Sequence, residues 1–314
     1  MNKLLKLFIT KILGNKVIFP FYHLVSDQEC PHIRHLYPVK RISTFENELD
    51  FFQRNFQPIA WDEILKHVFN NTQPEKPSFF LSFDDGLSEC SSIIAPILKQ
   101  RNLEAAFFVN TDFVDNQALF FRYKVSLLID KTEKSKFNAH YSKNELLKLR
   151  YCDTEKINLI AERLEVDFND FLKSQQPYMT WSEIKNLRNE GFVIGSHSSD
   201  HPLYSDISLQ QQIHQTKTSM DKLAENLDLK QRIFSFPFTD DGVGNSFFDF
   251  VFDTNLIDLS FGTAGIKDDV YSRNIQRLPM DLYSGRPEYF VLKNILFYRF
   301  KRILKKNKVA HPSV

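Results

Sequence analysis

Short apolar runs alternate along this chain with longer stretches whose apolar positions return every three or four residues, the signatures of buried strands and amphipathic helices. Residues 17–22, 78–83, 105–109, 192–195, 232–238, 257–261 and 275–278 read as strands. Residues 44–56, 61–70, 93–100, 182–189 and 209–227 read as helices, the last with Ile213 and Leu223 facing inward, and 247–252 reads as helical or extended. Ser43 or Thr44, and Asp62, stand in capping positions for the first two helices. Uninterrupted apolar strands are those covered on both faces, as in parallel sheets. About seven strands with intervening helices predict an α/β fold, an irregular (β/α) barrel rather than a regular eightfold one. Reacting groups in such barrels collect at the C-terminal strand ends.

The alternation breaks between about residues 117 and 176. Phe120, Phe121, Tyr123, Val125, Leu127 and Leu128 form an apolar segment, and residues 144–150 and 156–164 look helical and charged on one side. A stretch of roughly 60 residues is too long for a bare loop. It reads as a helical insertion, either a lid or substrate wall beside the site or a purely structural cap. The barrel, residues 17–285, is flanked by two amphipathic segments. In residues 1–16, Leu5, Phe8, Ile9 and Ile12 fall on one side and Lys3, Lys6 and Lys11 elsewhere. The lysines, the length and the lack of a small-residue cleavage site argue against a spanning helix or a secretion signal. Residues 286–314 form a basic amphipathic helix and tail, mixing Phe290, Leu292, Ile295, Leu296 and Phe300 with Lys293, Arg299, Arg302 and Lys305. Each helix either packs on the barrel or joins the other in peripheral contact with the anionic inner face of a membrane.

At 314 residues and 42% hydrophobic content the chain can bury one large core. A formal charge of +1 gives no global field for nucleic acid, and none is expected as a partner. Cys30, Cys90 and Cys152 are odd in number and lack paired spacing, which favours reduced thiols and a cytoplasmic setting.

The chemistry concentrates in two strand ends. Leu81 to Gly86 reads LSFDDG, an apolar run ending in two adjacent carboxylates and a glycine. Gly195 to Pro202 reads GSHSSDHP, with His197 and His201 four residues apart. Imidazoles at that spacing within one turn project to the same side, and one Asp with two His makes a facial metal triad with open positions. The residue after a strand end escapes the strand's alternation, so Asp84 and Asp85 can both reach the pocket mouth, one to bind metal and one as a free base. Asp-Asp-Gly as a plain turn and surface histidines are the alternative for either motif alone. Their joint occurrence at strand ends favours convergence on one ion.

These motifs resemble those of the polysaccharide deacetylase, or NodB-homology, family of carbohydrate esterases, [ST]-F-D-D-G and H-[ST]-x-x-H. Ser82-Phe83-Asp84-Asp85-Gly86 and His197-Ser198-Ser199-Asp200-His201 match both, in the family's order. Tyr22-His23-Leu24-Val25 is similar to the family's Y-H-x-V at the first strand, and Met179-Thr180-Trp181 to the segment before the second motif. The resemblance implies a distorted barrel and a metal-dependent hydrolase that removes the N-acetyl group of an amino sugar in a glycan or in a sugar on a carrier. It assigns Asp84 as general base and Asp85, His197 and His201 as ligands of one divalent ion. Zinc suits such ligands, and other first-row ions fit nearly as well. It also implies a pocket wall at Phe236, Pro237 and Phe238, with Thr239 where glycine is usual, and substrate contact at Tyr22 and His23.

One departure stands out. The family's L-x-x-x-H histidine, the leaving-group acid, has no counterpart near Leu278, and the one later histidine, His311, reads as part of a polar tail. Either His23 or a metal-held water protonates the amine, or the chemistry is a different carbon–nitrogen hydrolysis. A silent glycan-binding protein at a membrane surface is the non-enzymatic alternative. Arg277, at a strand end, is placed to hold Asp84 ionised.

Overall fold

The computed structural model describes residues 2–134, 141–283 and 285–313. Its centre is a parallel sheet of eight strand segments: β1 Pro20–Tyr22, β2 Leu81–Phe83, β3 Ala105–Val109, β4 Val193–Ser196, β5 Ile233–Ser235, β6 Leu259–Gly262, β7 Asn274–Gln276 and β8 Leu278–Pro279. Their order is β7-β6-β5-β4-β3-β2-β1-β8. Arg277 alone separates β7 from β8, yet β7 pairs with β6 and β8 pairs with β1. One run of chain thus closes the sheet into a barrel of seven staves, the last split at Arg277.

Period-two alternation sorts the side chains. Ala106, Phe108, Ile233, Leu259, Phe261 and Ile275 share one buried cluster, with Phe108 and Phe261 rings 5.1 Å apart. Their neighbours Leu81, Phe83, Ala105 and Phe107 face outward, under the surrounding helices. Deleting one such aromatic costs about 3–5 kcal/mol.

The crossover helices begin with α1 Asn2–Leu13, α2 Ile42–Asn55 and α3 Trp61–Asn70. The expected side-chain caps are not used, because α2 and α3 start earlier, at Arg41 and Ala60. Asp27 Oδ1 accepts from the Ile42 N–H (3.2 Å) and Glu104 Oε2 from the Trp61 N–H (2.8 Å), so carboxylates from elsewhere in the chain satisfy those helix ends. After β2 comes a π-helical turn, Cys90–Ile94, and then α4 Ala95–Gln100. The wide turn precedes Pro96, which has no N–H to continue an α-helical ladder.

Between β3 and β4 lie α5 Phe121–Lys134, α6 Lys143–Leu147, α7 Thr154–Arg163, α8 Phe168–Gln175 and α9 Trp181–Asn189. Leu128, Ile129, Leu146, Ile157, Ile160 and Leu172 build an apolar core there, shared with Leu24 and Ile33 from the segment after β1. The remaining helices are α10 Leu209–Asn226, α11 Asn245–Asp253 and α12 Pro287–Ile303. Helices α1 and α12 pack on each other and on α2 through Ile9, Leu13, Val291, Ile295 and Tyr298. Phe8, Leu296 and Phe300, on the apolar sides of these two helices, are 42%, 49% and 58% exposed. The polar tail is also revised: Lys308–Val309 pairs with Asp268–Asp269, and His311 is buried. No helix among the described residues is long and apolar enough to cross a membrane.

Candidate active site

The C-terminal ends of β1, β2, β4 and β5 and the Arg277 seam converge on a cavity of about 460 Å³. Asp85, Ser198, His201 and Phe238 all have positive φ (71°, 71°, 66° and 59°), a region that side chains rarely occupy and that clusters at functional sites. Gly86 is required at the first turn. Its φ is +66°, and an added Cβ would sit 3.0 Å from Val109 Cγ1.

Asp84 is clamped. Arg277, fully buried, donates from Nη1 to Asp84 Oδ1 (2.8 Å) and from Nη2 to Oδ2 (2.7 Å). The guanidinium also donates to Ser82 Oγ, Ser235 Oγ and the Gly262 carbonyl, and lies over the Phe21 ring. Burial alone raises a carboxyl's pKa, but here Arg277 outweighs it and Asp84 is held below its ordinary range.

Asp85, His197 and His201 present ligand atoms to one point. Asp85 Oδ1 lies 3.2 Å from His201 Nε2 and 3.5 Å from His197 Nε2. The other His197 nitrogen, Nδ1, is 2.8 Å from the Ser235 carbonyl, which makes it the protonated one and leaves the Nε2 lone pair facing Asp85. Burial lowers the His197 pKa to about 4, so the ring is neutral as a ligand must be. Asp85 Oδ1 and His197 Nε2 are buried without a hydrogen-bond partner. Three ligand atoms sharing an ion at bonds of about 2 Å stand roughly 3–3.5 Å apart, so this donor set fits a divalent cation. His201 is wedged between Phe120 and Phe238, ring centroids 4.2 and 4.7 Å away.

His23 faces the cavity from the end of β1. Its backbone N–H donates to Asp281 Oδ2 (2.8 Å), and its Nδ1 is 2.7 Å from the same oxygen. Burial would lower its pKa, but the hydrogen bond to Asp281 outweighs that and lifts it to about 9. Tyr22, by contrast, does not touch the cavity. Strand alternation turns it outward, fully buried, where its hydroxyl donates to Glu48 Oε2 (2.9 Å). Just beyond β5, Phe236 lines the cavity and Phe238 stands at its rim, 41% exposed, while Pro237 is buried behind them and shapes the turn.

Two residues without a role in the sequence reading belong to the site. Tyr123, on α5, donates to Asp85 Oδ2 (2.7 Å), so the segment between β3 and β4 orients a ligand of the triad. Its apolar helical neighbours hide it in the sequence. Asp281 is signalled only by its place two residues beyond β8. A second group, Asp240, Asp269 and His311, also gathers ligand atoms, but outside this cavity. His311 therefore cannot reach the reacting atoms.

Comparisons with known proteins agree with this picture. Residues 71–243, more than half of the chain, match the family model described as polysaccharide deacetylase. No curated protein sequence matches. Among solved structures, the chain is similar to the Streptococcus pyogenes deacetylase PplD (TM-score 0.58, 15% identity, covering 89% of this chain and 98% of that one). It is also similar to a de-N-acetylase from Aggregatibacter actinomycetemcomitans (0.57, 15%, 89% and 99%) and to IcaB from Ammonifex degensii (0.57, 16%, 90% and 97%). At these identities the likeness is one of fold.

Proposed function

Because this chain belongs to the polysaccharide deacetylase family, we propose that it hydrolyses the N-acetyl amide of an amino sugar in a glycan or glycan precursor, releasing acetate and a free amine. The observation that carries this reading is one cavity holding a clamped, ionised Asp84, a convergent Asp85–His197–His201 set with unpartnered atoms, and a cationic His23.

Asp85, His197 and His201 would hold one divalent ion, zinc or another first-row metal, which when bound polarises the acetyl carbonyl and acidifies water. Asp84 takes the proton from the attacking water. The bidentate contact with Arg277 keeps its oxygens fixed and ionised at neutral pH. His23 donates a proton to the departing nitrogen, which supplies the acid that the missing L-x-x-x-H histidine would have given. Its Nδ1 is engaged by Asp281, leaving Nε2 for the cavity. Phe236 and Phe238 form the apolar side of the acetyl and sugar site and exclude water from it.

The same reading includes peripheral contact with an anionic membrane surface. Leu4, Leu7 and Phe8 on α1 and Leu296, Phe297, Phe300 and Ile303 on the adjoining α12 are exposed beside Lys6, Lys293, Arg299 and Arg302. The unpaired thiols of Cys30, Cys90 and Cys152 support a reducing, cytoplasmic setting.

Acetate release from N-acetylglucosamine oligomers by purified protein, with metal analysis and Asp84→Asn as control, tests the activity. Expected are one metal per chain and turnover lost in the variant by about 10²–10⁴-fold. Tight metal without acetate from any N-acetyl sugar favours another carbon–nitrogen hydrolysis. Sedimentation with anionic but not neutral vesicles tests the surface contact.

A further inference from the structure

Each acid in the cavity has a charged or hydrogen-bonding neighbour on at least one oxygen: Asp84 has Arg277, Asp85 has Tyr123 on Oδ2, and Asp281 has His23 on Oδ2. One cation stands apart. Arg122, the second residue of α5, lines the same cavity beside Phe120 and Leu147. It is half-buried, its Nη1 donates to the Leu147 carbonyl (2.7 Å), and its guanidinium lies 5.1 Å from the Phe121 ring centroid. It forms no ion pair among the described residues, and burial lowers its pKa with no neighbouring carboxylate to oppose it. A guanidinium has five N–H donors, and only one contact here is to protein. Tyr37 lines the same cavity on the other side of the candidate triad, its ring 5.3 Å from His23, and offers Arg122 no partner. A half-buried guanidinium in the cavity lining with donors to spare is placed to take an anionic group of a ligand.

Resting on the deacetylase reading above, we propose that Arg122 binds an anionic oxygen substituent on the N-acetylated sugar. The preferred substrate is then an acidic amino-sugar derivative, bearing a phosphate ester or a carboxylate, rather than a neutral oligomer. Planar N–H pairs of Arg match both groups, and apolar Leu36, Leu147 and Phe238 line the same cavity.

The test compares kcat/KM for neutral N-acetylglucosamine trimer, N-acetylglucosamine 1-phosphate and N-acetylmuramic acid, in the full chain and in Arg122→Gln and Arg122→Lys. The expected result is an advantage of about 10- to 100-fold for an anionic substrate, carried by KM, removed in Arg122→Gln and partly restored in Arg122→Lys. Phosphate and carboxylate arms show which group is used. Equal kcat/KM for neutral and anionic sugars in the unmodified protein, or an advantage that survives Arg122→Gln, overturns the proposal. Calorimetry with glucosamine 1-phosphate against glucosamine reads the same charge preference without turnover, so it separates failure of this inference from failure of the deacetylase activity. Unchanged thermal unfolding of Arg122→Gln establishes that the variant is folded.

Discussion

Two carboxylate–histidine clusters in this molecule look alike by composition and differ in what they leave unsatisfied. In Asp85–His197–His201, Asp85 Oδ1 and His197 Nε2 are buried and without partners. In Asp240–Asp269–His311, each carboxylate is met by donors: Asn274 and Gln276 amides bridge both acids, Thr263 N–H reaches Asp240, and His311 Nε2 lies 3.1 Å from Asp269 Oδ2. The amide oxygens are committed as well, to Ser260 Oγ and the Ala264 N–H, so neither amide can flip to offer oxygen to a cation. The first cluster is poised for a ligand. The second is a finished knot that ties the C-terminal tail to the barrel. Residue type and proximity are therefore weaker pointers to chemistry than idle, desolvated atoms.

The sharpest break of this contrast is metal stoichiometry. Asp85→Ala should take bound metal from one per chain to none and abolish acetate release, whereas His311→Ala should keep the metal and lose only about 1–3 kcal/mol of stability, read by denaturant unfolding. Metal lost with His311 would reverse the assignment of the two clusters. Arg277→Met comes next. It leaves a buried carboxylate uncompensated, which should destabilise the fold by about 3–5 kcal/mol and lower kcat/KM at neutral pH by roughly two orders of magnitude or more. In the unmodified protein the depressed Asp84 stabilises the fold above its unfolded pKa of about 3.9, and that contribution is lost as pH falls through the lower folded value. Without Arg277 the acid limb of the pH–rate profile should move upward; an unmoved limb would separate Asp84 from the base role.

A smaller shift is expected from Asp281→Asn. His23 is lifted to about 9, so its stabilising pair with Asp281 is complete below about pH 6.5 and disappears as pH rises through 9. The alkaline limb of kcat/KM near pH 9 should move toward 6.5 in the variant, measurable by rate profiles from pH 5 to 10. Smallest is Tyr123→Phe, which removes the hydrogen bond to Asp85 Oδ2. Metal affinity by chelator competition should weaken about 10- to 100-fold. No change would make Tyr123 packing alone.

Much of the triad was legible because its residues cluster at two strand ends in short motifs whose spacing survives in one dimension. Most strand runs were legible because staves covered on both faces read as short uninterrupted apolar runs. What depended on closure was not. Asp281 stands 258 positions from His23, and only the pairing of β8 with β1 brings them together. Tyr123 was hidden because a buried helical face needs tyrosine's ring for packing, and its hydroxyl leaves no mark in the pattern. Tyr22 misled because a strand-end motif does not reveal which alternate residue turns inward. Nothing in the short tail around His311 signalled a ring tilted against Phe248, centroids 4.1 Å apart.

Arg277 occupies the joint between the two last strand segments, where the sheet meets itself. Molecules whose final stave has not docked onto the first lack the guanidinium that keeps Asp84 charged, and also lack Asp281 behind His23. On the proposed roles of Asp84 and His23, half-folded copies would be inert, and hydrolytic competence would appear only as the ring is completed.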